Sequence, residues 1–376
     1  MHTSKPKIAI VHDWLTNFAG AEQVVMALLE VFPEAPIFTS LYKPEKFPEI
    51  FKNRKVYTSS LQKFPIAKHQ LLFPFMGKAF EEFDLSDFDI IISSSHASSK
   101  GVITKPETLH ICYCHTPTRY LWSHYHEYLN QMEFGILNPL IRWRMPKIAY
   151  NLRMWDRLAA DRVDLWIANS QNTAKRIKKY YRADSEVIYP PINTDFFNIS
   201  NNVQDYYFIC SRLIPYKKID LVIEVFNKLK LPLKIAGTGS IENDLKNIAN
   251  DNIEFLGRVS DNRLRELYSN AKAFIFPTEE DFGITPVESM ASGRPVIAYN
   301  KGGAKETVAP KISGLLFDEQ TTESLISTIR EFEKTNFDPS MIRNNATKFS
   351  KNNFKEKIEN FVFERYKGFL DERHNS

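Results

Sequence analysis

Short apolar runs recur along the chain, separated by longer stretches with helical periodicity. Residues 7–11 (KIAIV), 89–92 (DIII), 110–114 (HICYC) and 164–168 (DLWIA) are continuous rather than alternating. Runs of this kind belong to strands of a parallel sheet covered on both faces. The segments between them predict helices over residues 20–31, 121–131, 137–162 and 172–181. The alternation then restarts. Residues 206–210, 233–236, 253–256, 273–276 and 295–298 predict strands, and 219–229, 261–269 and 286–291 predict helices. Two successive βαβ series imply two doubly wound α/β domains. Pro190 and Pro191, within YPPIN, end a strand and stiffen a connection. They divide the chain into a domain over 1–190 and a second over 191–353. The last periodic segment, 354–370, is a helix with no strand after it. Residues 354–376 are therefore expected to cross back to the first domain. Open α/β sheets bind ligands at the carboxyl ends of their strands, so two such domains facing each other would enclose a cleft.

Composition narrows the class. At 376 residues the chain exceeds what one core usually supports. Its 43% hydrophobic and 25% charged residues exclude a disordered, collagen-like or coiled-coil protein. Three cysteines, Cys112, Cys114 and Cys210, form neither a disulfide framework nor a zinc site, and point to a reducing compartment. Cys112 and Cys114 read as buried strand residues. The apolar run before His12 is too short for a signal peptide, and no 18-residue apolar stretch exists. The expected location is cytoplasmic, or peripheral on the cytosolic face of a membrane. The net charge of +4 lies within the first 200 residues, and between Arg142 and Arg182 there are 11 basic residues against 3 acidic ones. An anionic partner should therefore meet the first half.

The chemistry concentrates in residues 276–292, FPTEEDFGITPVESMAS, which begin where the strand AFIF ends. Glu280 and Glu288 are eight apart. Gly283 allows a tight turn, and Pro286 favours a helix start with Thr285 as its N-cap. Such a loop presents free backbone N–H groups, which suit a phosphate or a hydroxyl-rich ligand. A surface loop capped by two acids is the plainer alternative. Arg212 and Lys217 follow another strand end, where two cations can clamp a diphosphate without a metal; two solvated cations would look the same. His115 ends the strand HICYC, and a partly buried strand-end histidine is its plainer reading. His124 and His126 diverge on a helix and read as ordinary. Gly237-Thr238-Gly239 lacks the third glycine of a dinucleotide fingerprint, since Glu242 stands there. That disfavours a dinucleotide-dependent oxidoreductase, the competing function for two Rossmann-like domains.

The Glu280-x7-Glu288 pattern resembles the E-x7-E motif of retaining nucleotide-sugar glycosyltransferases of family four, which have the GT-B fold. Arg212-Leu213 with Lys217 is similar to that family's R-L-x-x-x-K element, with Lys218 where a glycine is usual. The turn at Gly237, the string FLGRV carrying Arg258 and Val259, and Gly302-Gly303 with Glu306 extend the likeness. In the first domain Gly20-Ala21-Glu22 resembles a G-G-x-E loop, with Ala19 in place of the first glycine. CYCHTPTRYLW, VHDWLTNFAGAEQV and DIIISSSHASSKG resemble the bacterial O-antigen and exopolysaccharide mannosyltransferase branch.

The resemblance implies two Rossmann-like domains facing a cleft, and roles for named residues. Glu280 would contact the donor sugar and Glu288 the ribose. The backbone of Phe282, Gly283, Ile284 and Thr285 would lie near phosphate and sugar, and Gly20 and Gly237 near the nucleotide sugar. The base would pack by Arg258 and Val259. His115 would position the sugar, and Asp13 would orient the acceptor. Departure of the leaving group on the front face, with a phosphate oxygen taking the acceptor proton, needs no carboxylate nucleophile. The implied donor is GDP-mannose, with a UDP-sugar as the alternative. The implied acceptor is a polyprenyl-diphosphate-linked saccharide, in synthesis of a surface polysaccharide such as O-antigen or capsule. No cofactor, metal or nucleic acid is expected. A lipid-linked acceptor must be met at a bilayer. Residues 61–80 and 141–154 mix basic with aromatic and aliphatic side chains and suit such a surface, although core helices with basic outer faces or a dimer interface would read alike.

Overall fold

The computed structural model describes residues 5–64, 72–123, 125 and 138–374. Two compact units divide the chain: Met1–Pro190 together with Phe354–Ser376, and Pro191–Asn353. The first holds seven parallel strands, β1 (Ile8–His12), β2 (Ile37–Thr39), β3 (Val56–Thr58), β4 (Ile90–Ser95), β5 (Leu109–Cys114), β6 (Leu165–Ala168) and β7 (Glu186–Val187). Their order is β3-β2-β1-β4-β5-β6-β7. The second holds β8 (Tyr207–Cys210), β9 (Leu233–Ala236), β10 (Ile253–Gly257), β11 (Ala273–Phe276), β12 (Val296–Tyr299) and β13 (Gly314–Phe317), in the order β10-β9-β8-β11-β12-β13. Both are doubly wound α/β sheets, as the apolar runs require. Central strands such as β1, β5 and β11 are buried along their whole length.

The strand order reverses between β1 and β4 in one sheet and between β8 and β11 in the other. Adjoining chain segments leave these strand pairs in opposite directions, which opens a crevice at their carboxyl ends.

The helices Gly20–Val31 and Ile219–Leu229 run as the periodicity predicts, and Asn138–Ala160 and Gln171–Tyr181 lie within a residue or two of it. The helix expected over 121–131, with His124 and His126, falls largely outside the described residues, as do residues 65–71. Four strands carry too weak a pattern to be read from sequence. β2, β3 and β7 are two or three residues long, and β13 begins with Gly314.

The final helix, Lys351–His374, is longer than expected and docks on the first unit. Its Phe354, Ile358, Phe361 and Val362 enter the cluster formed by Ile8, Leu28, Ile37, Ile111 and Tyr113. Lys355 reaches Glu30 at 3.4 Å.

Candidate active site

In the second unit the crevice between β8 and β11 gathers most of the expected residues. Beyond β8 the chain passes Arg212 and closes a 3₁₀ turn over Pro215–Lys217. Beyond β11 it forms the loop to Gly283, then the helix Ile284–Ala291. The Lys217 ammonium pairs with the Glu280 carboxylate, both largely buried. Thr278 Oγ1 donates to the Tyr216 carbonyl at 3.2 Å and ties the two loops together. Arg212 is exposed, and its guanidinium donates to Tyr216 Oη at 3.3 Å. Lys218, where the family's glycine is usual, sits in the left-handed region at φ 55°, the conformation that glycine adopts most cheaply.

The backbone at Glu280 is held from below. The Gly303 amide donates to its carbonyl at 2.8 Å. A Cβ on Gly302 would come within 2.2 Å of that carbonyl, and one on Gly303 within 2.1 Å of the Phe282 carbonyl. Two glycines are thus what lets this turn press on the loop. A second close approach occurs at Gly237, where φ is +128° and a Cβ would meet the Ser211 carbonyl at 1.8 Å. Its amide donates to the Gly257 carbonyl at 2.8 Å, so the 237–239 turn lies beside exposed Arg258 and partly buried Val259.

Thr285 is not the N-cap. Gly283, at φ +89°, occupies that position, and the helix starts at Ile284. The left-handed glycine begins the helix two residues earlier than the proline suggests. Pro286 still falls in the first turn, where its missing N–H leaves no bond unmade. The amides of this turn, those of Ile284 and Thr285 among them, have no acceptor within the helix. The Phe282 ring is core, packed on Phe349 at 5.4 Å between centroids, which leaves its backbone to the site. Glu288 lies one full turn into the helix. It accepts from Tyr268 Oη at 3.0 Å, and burial pushes its carboxyl up to about 7. Burial, with the Glu288 charge nearby, likewise pushes the Cys210 thiol up to about 12.

In the first unit, Gly20 opens the helix Gly20–Val31. Asp13 is fully buried, and its carboxylate accepts the amides of His96, Ala97, Ser98 and Ser99 at 2.6–2.9 Å. Burial alone would raise this carboxyl; His96, His12 and the amides hold it below its ordinary range. Asp13 is thereby committed to anchoring the 96–99 loop, and any influence on an acceptor passes through that loop. His115 is partly exposed. Burial, then the neighbouring His96 and His12 rings, push its pKa well below the ordinary histidine value, so it is neutral near pH 7.

Residues that sequence reasoning missed surround it. His12, Ser94 and His96 lie within the same strand ends. The signal was the buried polar run Ser93–Ser95 at the end of an otherwise apolar strand. A second buried group lies under the loops. Asp156 accepts from Lys100 Nζ at 2.6 Å, Trp122 Nε1 at 2.7 Å, Thr118 Oγ1 at 2.8 Å and Tyr181 Oη at 2.8 Å.

Two family models match: Glycosyltransferase Family 4 over residues 18–196 and Glycosyl transferases group 1 over residues 192–349. The chain is a family-4-type glycosyltransferase of the GT-B fold. Over 204 residues it is 28% identical to the O-antigen chain mannosyltransferase RfbU of Salmonella typhimurium, covering 50% of this chain and 56% of the relative. Over 137 residues it is 32% identical to a GDP-mannose-dependent monoacylated alpha-(1-6)-phosphatidylinositol monomannoside mannosyltransferase of Corynebacterium glutamicum, covering 32% and 36%. The chain spans about half the length, or less, of the curated relatives it matches. Among solved structures it is similar to sucrose-phosphate synthase of Thermosynechococcus elongatus, with a TM-score of 0.73, 16% identity, and 97% and 100% of the two chains covered. Among the described residues no helix is long and apolar enough to cross a membrane.

Proposed function

We propose that this glycosyltransferase moves mannose from GDP-mannose, with retention of configuration, to a polyprenyl-diphosphate-linked saccharide during synthesis of a bacterial surface polysaccharide. The observation that carries the transfer reading is the Lys217–Glu280 pair at the strand-order reversal, beside a helix N-terminus and Glu288. Glu280 takes the sugar hydroxyls, Glu288 the ribose, and Arg212 and Lys217 the diphosphate. As the C1–O bond breaks, the diphosphate takes the electron pair and its charge grows. Two cations and the amides of Ile284 and Thr285 stabilise that charge without a divalent metal. The acceptor hydroxyl attacks C1 and passes its proton to a phosphate oxygen. His115 is assigned to the sugar, Gly20 and Gly237 to the nucleotide sugar, and Arg258 and Val259 to the base. Both relatives are mannosyltransferases, which supports mannose over glucose, and the Corynebacterium glutamicum enzyme is GDP-mannose-dependent, which supports GDP over UDP.

The acceptor reading puts the enzyme at the cytosolic face of the inner membrane. It is supported by the helix Asn138–Ala160, which exposes Tyr150, Met154 and Leu158 one turn apart at 60%, 50% and 60%. Phe75 of Phe73–Glu81 is 61% exposed. The two helices meet where Trp155 covers Gly77, and exposed Lys78, Arg144 and Lys147 rim the apolar side chains. The side chains of Arg142 and Trp143 lie outside the described residues.

The test is a panel of GDP- and UDP-sugars read by thermal shift, without metal and with chelator. At 100 times its Kd, the true donor stabilises by about 2.7 kcal/mol. A shift with UDP-glucose and none with GDP-mannose overturns the donor, and a requirement for Mn²⁺ overturns the metal-free reading. Glu280→Ala should lower turnover by about 10²–10³; near-normal turnover would remove the central assignment.

A further inference from the structure

Three strand ends meet at the strand-order reversal of the first sheet through a chain of polar side chains. His12 closes β1 and pairs in register with Ser94 of β4. His115 follows β5, its amide bonded to the Ser95 carbonyl at 2.8 Å. His12 Nδ1 lies 3.0 Å from the Ser94 carbonyl and 3.1 Å from Ser94 Oγ. Ser94 Oγ lies 2.8 Å from His115 Nε2. On the far side, His12 Nε2 is 3.6 Å from Glu22 Oε1, and Glu22 Oε2 accepts the Ala19 amide at 2.9 Å. His12 and Ser94 are wholly buried, Glu22 is 5% exposed, and His115 is the member that reaches the surface.

The proton positions follow from donor and acceptor capacity. A carbonyl oxygen only accepts, so His12 Nδ1 must carry a proton to face the Ser94 carbonyl. Ser94 Oγ is then also on the accepting side of His12. The hydroxyl has one proton to give, and the remaining neighbour is His115 Nε2. That nitrogen accepts, and the proton of a neutral His115 resides on Nδ1. No hydrogen bond joins Nδ1 to another described residue. Asp13 and His96 also face the cluster, but Asp13 is saturated by the 96–99 amides and donates nothing.

We propose that Ser94 and His12 are positioning residues that hold His115 as the neutral Nδ1–H tautomer, ready to donate to an oxygen of the nucleotide sugar. The proposal rests on the reading that His115 meets the sugar. It goes beyond that reading in assigning a tautomer and the two buried residues that impose it. Glu22 lies at the other edge of the His12 ring, 3.6 Å from Nε2 and outside hydrogen-bond reach, with its carboxylate held by the Ala19 amide.

The experiment uses the full chain labelled with ¹⁵N-histidine. Long-range ¹⁵N–¹H correlation reads which ring nitrogen carries the proton, and His115→Asn identifies the His115 signals. In the unmodified chain Nδ1 should be protonated and Nε2 bare. Ser94→Ala should release the ring to the Nε2–H form that free histidine prefers. Ser94→Thr, which keeps the hydroxyl, should restore Nδ1–H. Hydrolysis of GDP-mannose should fall about tenfold in kcat in Ser94→Ala, the worth of one hydrogen bond, with KM unchanged. If Ser94→Ala does not fold, His12→Gln removes the Nδ1 donor and should release the tautomer in the same way. Nε2–H in the unmodified chain, or a tautomer indifferent to these substitutions, would overturn the proposal. Full turnover in His115→Ala would instead remove the reading beneath it, whatever the tautomer.

Discussion

Glu288 shows how one residue's surroundings set its protonation. Its carboxyl titrates near 7 because burial disfavours the charge more than the Tyr268 hydroxyl favours it. The folded state therefore holds a proton that the unfolded chain, with an ordinary glutamate, releases near 4.5. Between those values the native protein binds more protons, so stability falls as pH rises and levels off above about 7. Glu288→Gln cannot ionise and should lack this slope. The melting-temperature difference between Glu288→Gln and the unmodified chain should be near its minimum at pH 4.5 and should favour the glutamine increasingly towards pH 8. A difference independent of pH would mean that the carboxyl is not held neutral. The cationic side of the site behaves differently: Lys217 already has its counter-ion in Glu280, so under the proposed function a diphosphate would have to draw Lys217 out of that pair.

At the scale of elements, buried polar joints decide which loops are rigid. The helix Asn138–Ala160 is fastened to the loops after β4 and β5 by Asp156, which is 1% exposed and serves Lys100, Thr118, Trp122 and Tyr181. Removing one partner of a buried ion pair leaves the other charged and unpaired, so Asp156→Ala should cost about 3–5 kcal/mol. Asp161, just past the end of that helix, is exposed and pairs with Arg157. Its replacement by alanine should cost no more than about 1 kcal/mol. Urea unfolding of both variants checks the contrast, and equal losses would argue that Asp156 holds nothing in place. The same helix carries the exposed Tyr150, Met154 and Leu158. If they meet a bilayer, charge reversal at Arg144 and Lys147 should abolish binding to anionic vesicles, since each cation is worth about 1 kcal/mol at such a surface. Binding that is equal on neutral and anionic vesicles would remove the electrostatic part of that reading.

At the scale of the whole molecule, the chain builds its first unit from both ends. Phe354, Ile358, Phe361 and Val362 are at most 6% exposed within a core otherwise made by residues before 190. Each such side chain contributes about 1.5–3 kcal/mol, a sum comparable to the net stability of a typical domain. A chain ending at residue 353 should therefore lose the calorimetric transition of the first unit. The transition of the second, which has its own core around Ile209, Phe226, Ile275 and Leu325, should persist. A truncated chain that keeps both would show the helix to be an accessory.

How much of this was legible in advance depended on the range of the interaction. Continuous apolar runs and helical spacing state which residues must leave water, so the doubly wound sheets, the strand ends and the placing of Glu280 in the loop after a strand and Glu288 on the helix behind it could be read directly. Residue types near strand ends named the cations and His115. The N-cap of the helix Ile284–Ala291 could not be read, because a glycine adopts many backbone conformations and only the folded loop shows Gly283 at φ +89°, with Phe276 and Pro286 close to where a Cβ would stand. Asp13 looked like a ligand contact, since a carboxylate after a strand usually is one. Only the fold brings residues 96–99, more than eighty positions away, to consume it. The short strands β2, β3 and β7 are held by their neighbours in the sheet rather than by their own pattern. The polar chain from His12 to His115 exists because β1, β4 and β5 align their ends in one register. Local composition specifies elements and the chemistry they carry, whereas contacts between residues far apart in sequence depend on topology and decide which of those groups remain available to a substrate.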